Sequence, residues 1–272
     1  MRVAEHTTTI DDVPVFYRGA EASGDGREIV YIHDALTSSD DLLPFLERTG
    51  GVAPDLIGFG RSGKGGHLDY TPQGLVDFLE RFLDHLAIEA TAVVGHGWGG
   101  ALGLLLALRR PKLVDRLGLI DPVPLLGGFS WRSPARVWRR PLIGELVMGS
   151  TSRWMLARQL RRGTANPEAW SESRLAAVWE QFDQGTQRAL LRLHRAADES
   201  LLAELGTGLD SLAVPTLVIW GEHDPWLAPR FADAYGARLP GARVDHIAGA
   251  GHWPWLDQPQ VIELVAEFLA GA

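Results

Sequence analysis

Residues 91–108 constrain what this chain can fold into more than any other segment. They read T-A-V-V-G-H-G-W-G-G and then A-L-G-L-L-L-A-L. An apolar, β-branched run enters a glycine-studded turn, and a helical pattern follows at once. A buried strand that turns directly into a helix is one β–α unit, and a series of such units makes a mainly parallel sheet covered by helices on both faces. The turn also carries chemical meaning. In the pattern G-x-S-x-G, a strained strand-to-helix turn presents a nucleophile above the sheet. Gly95, Gly99 and Gly100 supply the small neighbours of that pattern, but the centre is Gly97, which has no reactive side chain.

The rest of the chain repeats the alternation. Residues 13–18, 28–33, 51–56, 91–94, 113–120, 214–220 and 242–247 read as strands, the first two joined through the turn-rich stretch 22–26. Residues 39–48, with Ser39 or Asp40 as cap, and residues 71–86, 228–239 and 259–270 read as helices. Residues 123–209 break the rhythm: they hold helical patterns rich in Trp and Arg and no convincing strand. We read them as a helical cap inserted into an α/β core made of residues 1–122 and 210–272. A chain of 272 residues suits that arrangement.

Composition narrows the class. The formal net charge of −8 argues against a general nucleic-acid binder. With no cysteine, neither disulfides nor thiol catalysis are available. Residues 1–12 lack the apolar stretch of a signal peptide, and the run 101–108 is far too short to cross a membrane. The expectation is a cytoplasmic protein with a small-molecule substrate and no nucleic-acid or membrane partner; nothing indicates an oligomeric state. Residues 58–65 nearly match a phosphate-binding loop, but Gly65 stands where Ser or Thr would reach a magnesium ion, so the match is read as coincidence. The histidines show no metal-ligand spacing, and no dinucleotide fingerprint occurs. No metal and no cofactor are expected.

Several motifs in order resemble one family. V-V-G-H-G-W-G-G, the loop P-D-L-I-G-F-G-R-S-G-K at 54–64, W-G-E-H-D-P-W-L-A-P at 220–229 and G-A-G-H-W-P-W at 249–255 are similar to the α/β-hydrolase superfamily, and most to its haloalkane dehalogenase and epoxide hydrolase branch. The resemblance covers nearly the whole chain outside the cap. It implies a mostly parallel eight-stranded sheet. It also places the family's nucleophile on Gly97, its acid on Asp224 and its histidine on His252, in the chain order expected for the fold. The oxyanion-hole N–H groups fall on Ala35 and Trp98. The loop that is normally histidine-glycine reads His33-Asp34-Ala35. A carboxylate there would oppose negative charge on a substrate oxygen, where loss of one donor costs ~3 kcal/mol. One departure from the family pattern would fit a laboratory substitution; two at one chemical centre point rather to a natural change of reaction.

The candidate catalytic residues are therefore His252, Asp224, Asp34 and the vacant position Gly97. Trp98, Ala35, His33 and Trp253 are the candidate substrate-binding residues. Asp224 and His252 fit a base and its orienter, or residues that only support loops. Asp34 fits a general acid kept neutral by burial, a base, a relocated nucleophile, or a turn residue bonded to its own backbone. Trp98 reads as pocket wall rather than halide donor, Asp121 as a turn before Pro122, and His96 as a supporting hydrogen bond. Trp131, Trp138, Trp154, Trp170 and Trp179 fit a cavity lining or helix packing. Arg132, Arg136, Arg139 and Arg140 fit a carboxylate site or a solvated face. The cap has no tyrosine, which disfavours epoxide opening by the family's usual means.

Three functions are compatible with these residues. The leading one is cofactor-independent proton transfer by His and Asp on a small apolar molecule: elimination, cyclisation or isomerisation. The second is a hydrolase of esterase or dehalogenase type whose nucleophile has been replaced at position 97. The third is a non-catalytic binding protein.

Overall fold

The structure, a computed structural model, describes residues 1–21 and 27–271. The stretch 22–26, read as a turn, lies outside the described residues. Eight strands form one sheet: β1 (Ala4–Ile10), β2 (Val13–Ala20), β3 (Ile29–Ile32), β4 (Gly51–Pro54), β5 (Thr91–His96), β6 (Val114–Ile120), β7 (Thr216–Gly221) and β8 (Arg243–Ile247). Their order is β1-β2-β4-β3-β5-β6-β7-β8. β1 pairs antiparallel with β2, and β2 with β4; all later pairs are parallel. β3, β5 and β7 are buried along their whole length, as expected where helices cover both faces.

β1 is the strand that periodicity missed. It is mostly exposed, so it lacks an apolar face. The hairpin is set by Asp11 and Asp12, both at positive φ, between the paired residues Ile10 and Val13. A two-residue loop of that geometry matches the twist of the strands, and aspartate tolerates it.

The flanking helices are α1 (Leu43–Thr49), α2 (Pro72–His85), α3 (Trp98–Arg109), α10 (Arg230–Arg238), α11 (Pro254–Asp257) and α12 (Gln260–Ala270). α1 packs on α12, α2 on α3, and α10 on β7 and β8. The helix read at 39–48 is instead a 3-10 turn at Ser39–Leu42 followed by α1. Its cap is neither Ser39 nor Asp40 but Ser38, whose side chain accepts from the Asp40 N–H.

Between β6 and β7 the structure has α4 (Ala135–Trp138), α5 (Ile143–Gly149), α6 (Arg153–Arg162), α7 (Glu172–Gln181), α8 (Gln184–Ala196) and α9 (Glu199–Leu205), and no strand among the described residues. Side chains of Ser152, Ser171, Asp183 and Asp198 accept first-turn N–H groups and so fix where α6, α7, α8 and α9 begin. The chain leaving the sheet is pinned by Tyr235 on α10. Its buried hydroxyl accepts from the Leu125 N–H at 2.7 Å and donates to the Val123 carbonyl at 3.1 Å.

Candidate active site

Gly97 sits alone between β5 and α3 with φ 55° and ψ −117°. L side chains rarely adopt that conformation, so glycine relieves the turn of strain. The turn is tied to β6: the Gly97 N–H donates to the Ile120 carbonyl at 3.0 Å, and its carbonyl accepts from the Val123 N–H at 2.9 Å. Gly99 is required for closeness, since a Cβ there would stand 2.0 Å from the Ile32 carbonyl oxygen.

The loop after β3 brings Asp34 over this turn. His33 is buried, and the Leu56 N–H donates to its Nε2 at 2.9 Å. The ring proton therefore sits on Nδ1, which donates to the Asp34 carbonyl at 2.7 Å. Held in this way, Asp34 turns its carboxyl to the elbow, where Oδ1 accepts from the Trp98 N–H at 2.7 Å. A Cβ on Gly97 would lie 2.2 Å from that oxygen. The carboxyl thus fills the space that a side chain at position 97 would enter.

Asp224, after β7, accepts from the Trp226 and Leu227 N–H groups with Oδ1 and faces His252 Nδ1 with Oδ2 at 2.7 Å. The other ring nitrogen of His252, Nε2, lies 3.8 Å from Asp34 Oδ2. That separation is an ion pair, not a hydrogen bond. His252 is further placed by its N–H, which donates to the Gly163 carbonyl at the end of α6, and by His96, whose Nε2 donates to the His252 carbonyl. His96 therefore supports the loop, and burial lowers its pKa to about 3.

The electrostatics follow from this order of charges. Burial alone would lower the His252 pKa, but Asp224 and then Asp34 outweigh it, so the imidazole is held protonated well above its ordinary range. Burial would likewise raise Asp34, but His252 and the Trp98 N–H outweigh it and hold the carboxyl well below the usual carboxylate range. This corrects the reading of Asp34 as a neutral acid. Its wall is not purely apolar: it carries a cation and an N–H donor. Asp121 is pushed up instead, by burial and by the Asp224 charge. Its Oδ1 accepts from the Gly221 N–H, so it backs Asp224 rather than merely turning the chain. Oxygen and nitrogen atoms of Asp121, Asp224 and His252 lie within 4.8 Å of one another. Both Asp224 oxygens already face protein donors, so the cluster reads as a proton-sharing chain.

A cleft opens above Asp34 and His252. Its wall includes Ala35, Trp98, Trp131, Trp138, His194 and Trp226. Of the four residues expected to contact substrate, Trp98 and Ala35 lie on this wall, whereas His33 and Trp253 are not among the lining residues. Trp253 is buried behind His252, with its indole N–H donating to Asp41 at 3.1 Å. Among the tryptophans between β6 and β7, Trp131 and Trp138 face the cleft. Trp170 packs on Trp253, Trp179 packs near Phe182, and Trp154 is 70% exposed. His194 and Trp226 were not singled out from the sequence. His194 is a lone histidine within α8 and nothing local marks it. Trp226 follows Asp224 by two residues, and that proximity was the available signal. Burial lowers the His194 pKa to about 4, so it is neutral. Its Nδ1 donates to the Leu190 carbonyl, leaving Nε2 to accept from the Trp98 indole N–H at 3.4 Å. Arg139 donates to carbonyls at the end of α8 and Arg132 to the Pro225 carbonyl, while Arg136 and Arg140 are exposed.

A strand-to-helix turn under a histidine–aspartate pair, on an eight-stranded sheet with helices on both faces, defines an α/β-hydrolase. The model of the alpha/beta hydrolase family matches residues 29–263, and the chain belongs to that family of enzymes. It is 27% identical over 289 residues to an uncharacterized protein of Mycobacterium tuberculosis, covering 98% of this chain and 82% of the relative. It is 36% identical over 139 residues to a haloalkane dehalogenase of Mesorhizobium japonicum, covering 47% of this chain and 45% of that one. Among solved structures, the haloalkane dehalogenase DbeA of Bradyrhizobium elkani superposes with a TM-score of 0.84 at 25% identity, covering 99% of this chain and 98% of that one.

Proposed function

We propose that this chain is a hydrolase that uses Asp34, not residue 97, as its nucleophile, acting on a small apolar molecule with a leaving group on an alkyl carbon. The observation that carries the reading is the placement of the Asp34 carboxylate: Oδ1 on the Trp98 N–H and in the space that Gly97 leaves open, and Oδ2 toward His252. Asp34 Oδ2 attacks the carbon, an ester C–O bond forms, and the leaving group departs with the bonding pair. The ester carries no charge, so His252 loses one of the two carboxylates that hold its proton and releases that proton to solvent. Neutral His252 then takes a proton from water as the hydroxide adds to Cγ of Asp34. The new oxyanion develops on Oδ1, already on the Trp98 N–H. Collapse breaks the Cγ–Oδ2 bond and His252 protonates the departing alkoxide; the Asp34 carboxylic acid left behind gives its proton to His252, which restores the carboxylate and the imidazolium.

Other family chemistries fit less well. An ester substrate would have to place its carbonyl oxygen where Asp34 Oδ1 already carries negative charge. A purely binding role leaves the ion pair at the foot of an open cleft unused. The proton-transfer reading keeps one favourable observation: the protonated His252 and ionised Asp34 stand 3.8 Å apart on one wall. It asks Asp34 to act as a base while His252 and the Trp98 N–H hold its pKa down, which weakens a base far more than an alkylation nucleophile.

The two readings separate by isotope. In a single turnover in ¹⁸O-water with excess enzyme, a nucleophilic Asp34 puts its own ¹⁶O into the alcohol product and gains ¹⁸O on the Asp34 peptide. Product with ¹⁸O and an unlabelled Asp34 peptide would overturn the proposal, as would a product isomeric with its substrate.

A further inference from the structure

The cap carries a surface that the cleft chemistry does not use. Leu142 is 83% exposed, Leu146 74% and Trp154 70%, with Ile143 and Met155 partly exposed beside them. Ile143 and Leu146 are three residues apart on α5, and Leu142 immediately precedes the helix. Trp154 and Met155 open α6 just after the link 150–152. Isolated exposed apolar residues need no explanation, but five within residues 142–155 do.

Charge singles out the same stretch. Residues 131–162 hold eight arginines and one glutamate, while the remaining chain holds 18 Lys and Arg against 33 Asp and Glu. The glutamate, Glu145, is taken by Arg195. Arg153 and Arg161 share Glu172, and Arg139 reaches Glu199. Arg136, Arg140, Arg158 and Arg162 are exposed and no acidic partner is recorded for them among the described residues. The Arg158 guanidinium lies 5.8 Å from the Trp154 ring centre. Exposed apolar side chains and four exposed arginines without an acidic partner among the described residues thus share one stretch of an acidic protein, with Arg158 placed over Trp154.

We propose that this face of α5 and α6 docks on an anionic lipid surface, with Leu142, Leu146 and Trp154 entering the interface and the surrounding arginines meeting lipid phosphates. Exposed leucine and tryptophan beside arginine is the side-chain mixture that lies in a bilayer interface. This is surface association and not a span: no helix is long and apolar enough to cross a membrane. In the chain, α5 lies between two helices that reach the cleft: Trp138 of α4 and Gln159 of α6 line it. The proposal is independent of the reaction assigned to Asp34.

Vesicle co-sedimentation tests it, using phosphatidylcholine with and without phosphatidylglycerol. Wild-type protein should pellet with anionic vesicles, less with neutral ones and less at high salt. Leu146→Ser/Trp154→Ser should weaken binding about tenfold or more through lost burial alone, with unchanged thermal melting. Arg136→Glu/Arg158→Glu should weaken it while leaving the apolar residues in place. The proposal is overturned if wild-type protein stays in the supernatant, or if both variants pellet like wild type. It is also overturned if light scattering shows a dimer that the same substitutions dissolve, since the face would then be covered by a second copy.

Discussion

Gly97 and Asp34 exclude each other's alternatives. A Cβ on residue 97 would lie 2.2 Å from Asp34 Oδ1 and 2.5 Å from its Cγ. The two positions are therefore sterically linked: the Asp34 carboxyl stands where a side chain at position 97 would enter. With Oδ1 on the Trp98 N–H, that carboxyl also occupies the donor around which an oxyanion hole would be built.

Gly97→Ser alone should therefore destabilise the protein by about 2 kcal/mol through overpacking and positive-φ strain. Gly97→Ser with Asp34→Gly should recover part of that loss, because the clash is removed and only the strain remains. Thermal melting of the two variants checks this. Equal melting temperatures would mean that the side chains do not compete for the space.

Much of this was legible in the sequence, and the exceptions have physical causes. Buried parallel strands such as β5 and β7 announce themselves as apolar runs, whereas β1 faces solvent and was invisible to periodicity. Asp224 and His252 stand in loops whose local motifs are specific. Asp34 was recognisable as an anomaly, but its charge state was not. That state depends on His252, 218 positions away, and on a backbone N–H whose direction only the elbow sets. His194 meets Trp98 only because α8 folds over the sheet, and no spacing encodes that contact.

Asp34→Asn should change the titration of His252 as well as activity. The His252 pKa is raised, so its stabilising contribution is fully present below ~6.5 and is lost as pH rises through the folded value. The Asp34 pKa is lowered, so its contribution is present above ~3.9 and is lost as pH falls through the folded value. Removing the Asp34 charge should move the His252 titration to lower pH and bring forward the alkaline loss of stability. Imidazole NMR across a pH series and melting at several alkaline pH values read both effects. An unmoved His252 resonance would show that the 3.8 Å pair carries no coupling.

Tyr235→Phe should cost about 1–3 kcal/mol, more than a typical exposed hydrogen bond. Its hydroxyl serves both the Leu125 N–H and the Val123 carbonyl, and the substitution leaves that N–H buried without a partner. Urea denaturation should show a lower midpoint with an unchanged slope. Because the segment it pins carries Val123, which lines the cleft and bonds to the Gly97 carbonyl, activity should fall in step.

His252→Phe should separate the two halves of the proposed reaction. Alkylation of Asp34 needs the carboxylate, the Trp98 N–H and a carbon within reach, all of which remain. Hydrolysis of the ester needs a base beside Cγ, and none is left once the imidazole is gone. Phenylalanine also keeps the packing against Trp226 and Trp253, whose rings lie 5.0 and 4.9 Å from that of His252. Incubated with a panel of primary bromoalkanes and read by intact mass, the variant should accumulate one adduct with loss of bromide, and peptide mapping should place it on Asp34. Asp34→Asn/His252→Phe should gain nothing, and neither variant should be modified at residue 97, which offers no heteroatom. If wild type turns over a bromoalkane while His252→Phe accumulates no ester on Asp34, the carboxylate is not the nucleophile, and its role reduces to holding the His252 proton in place.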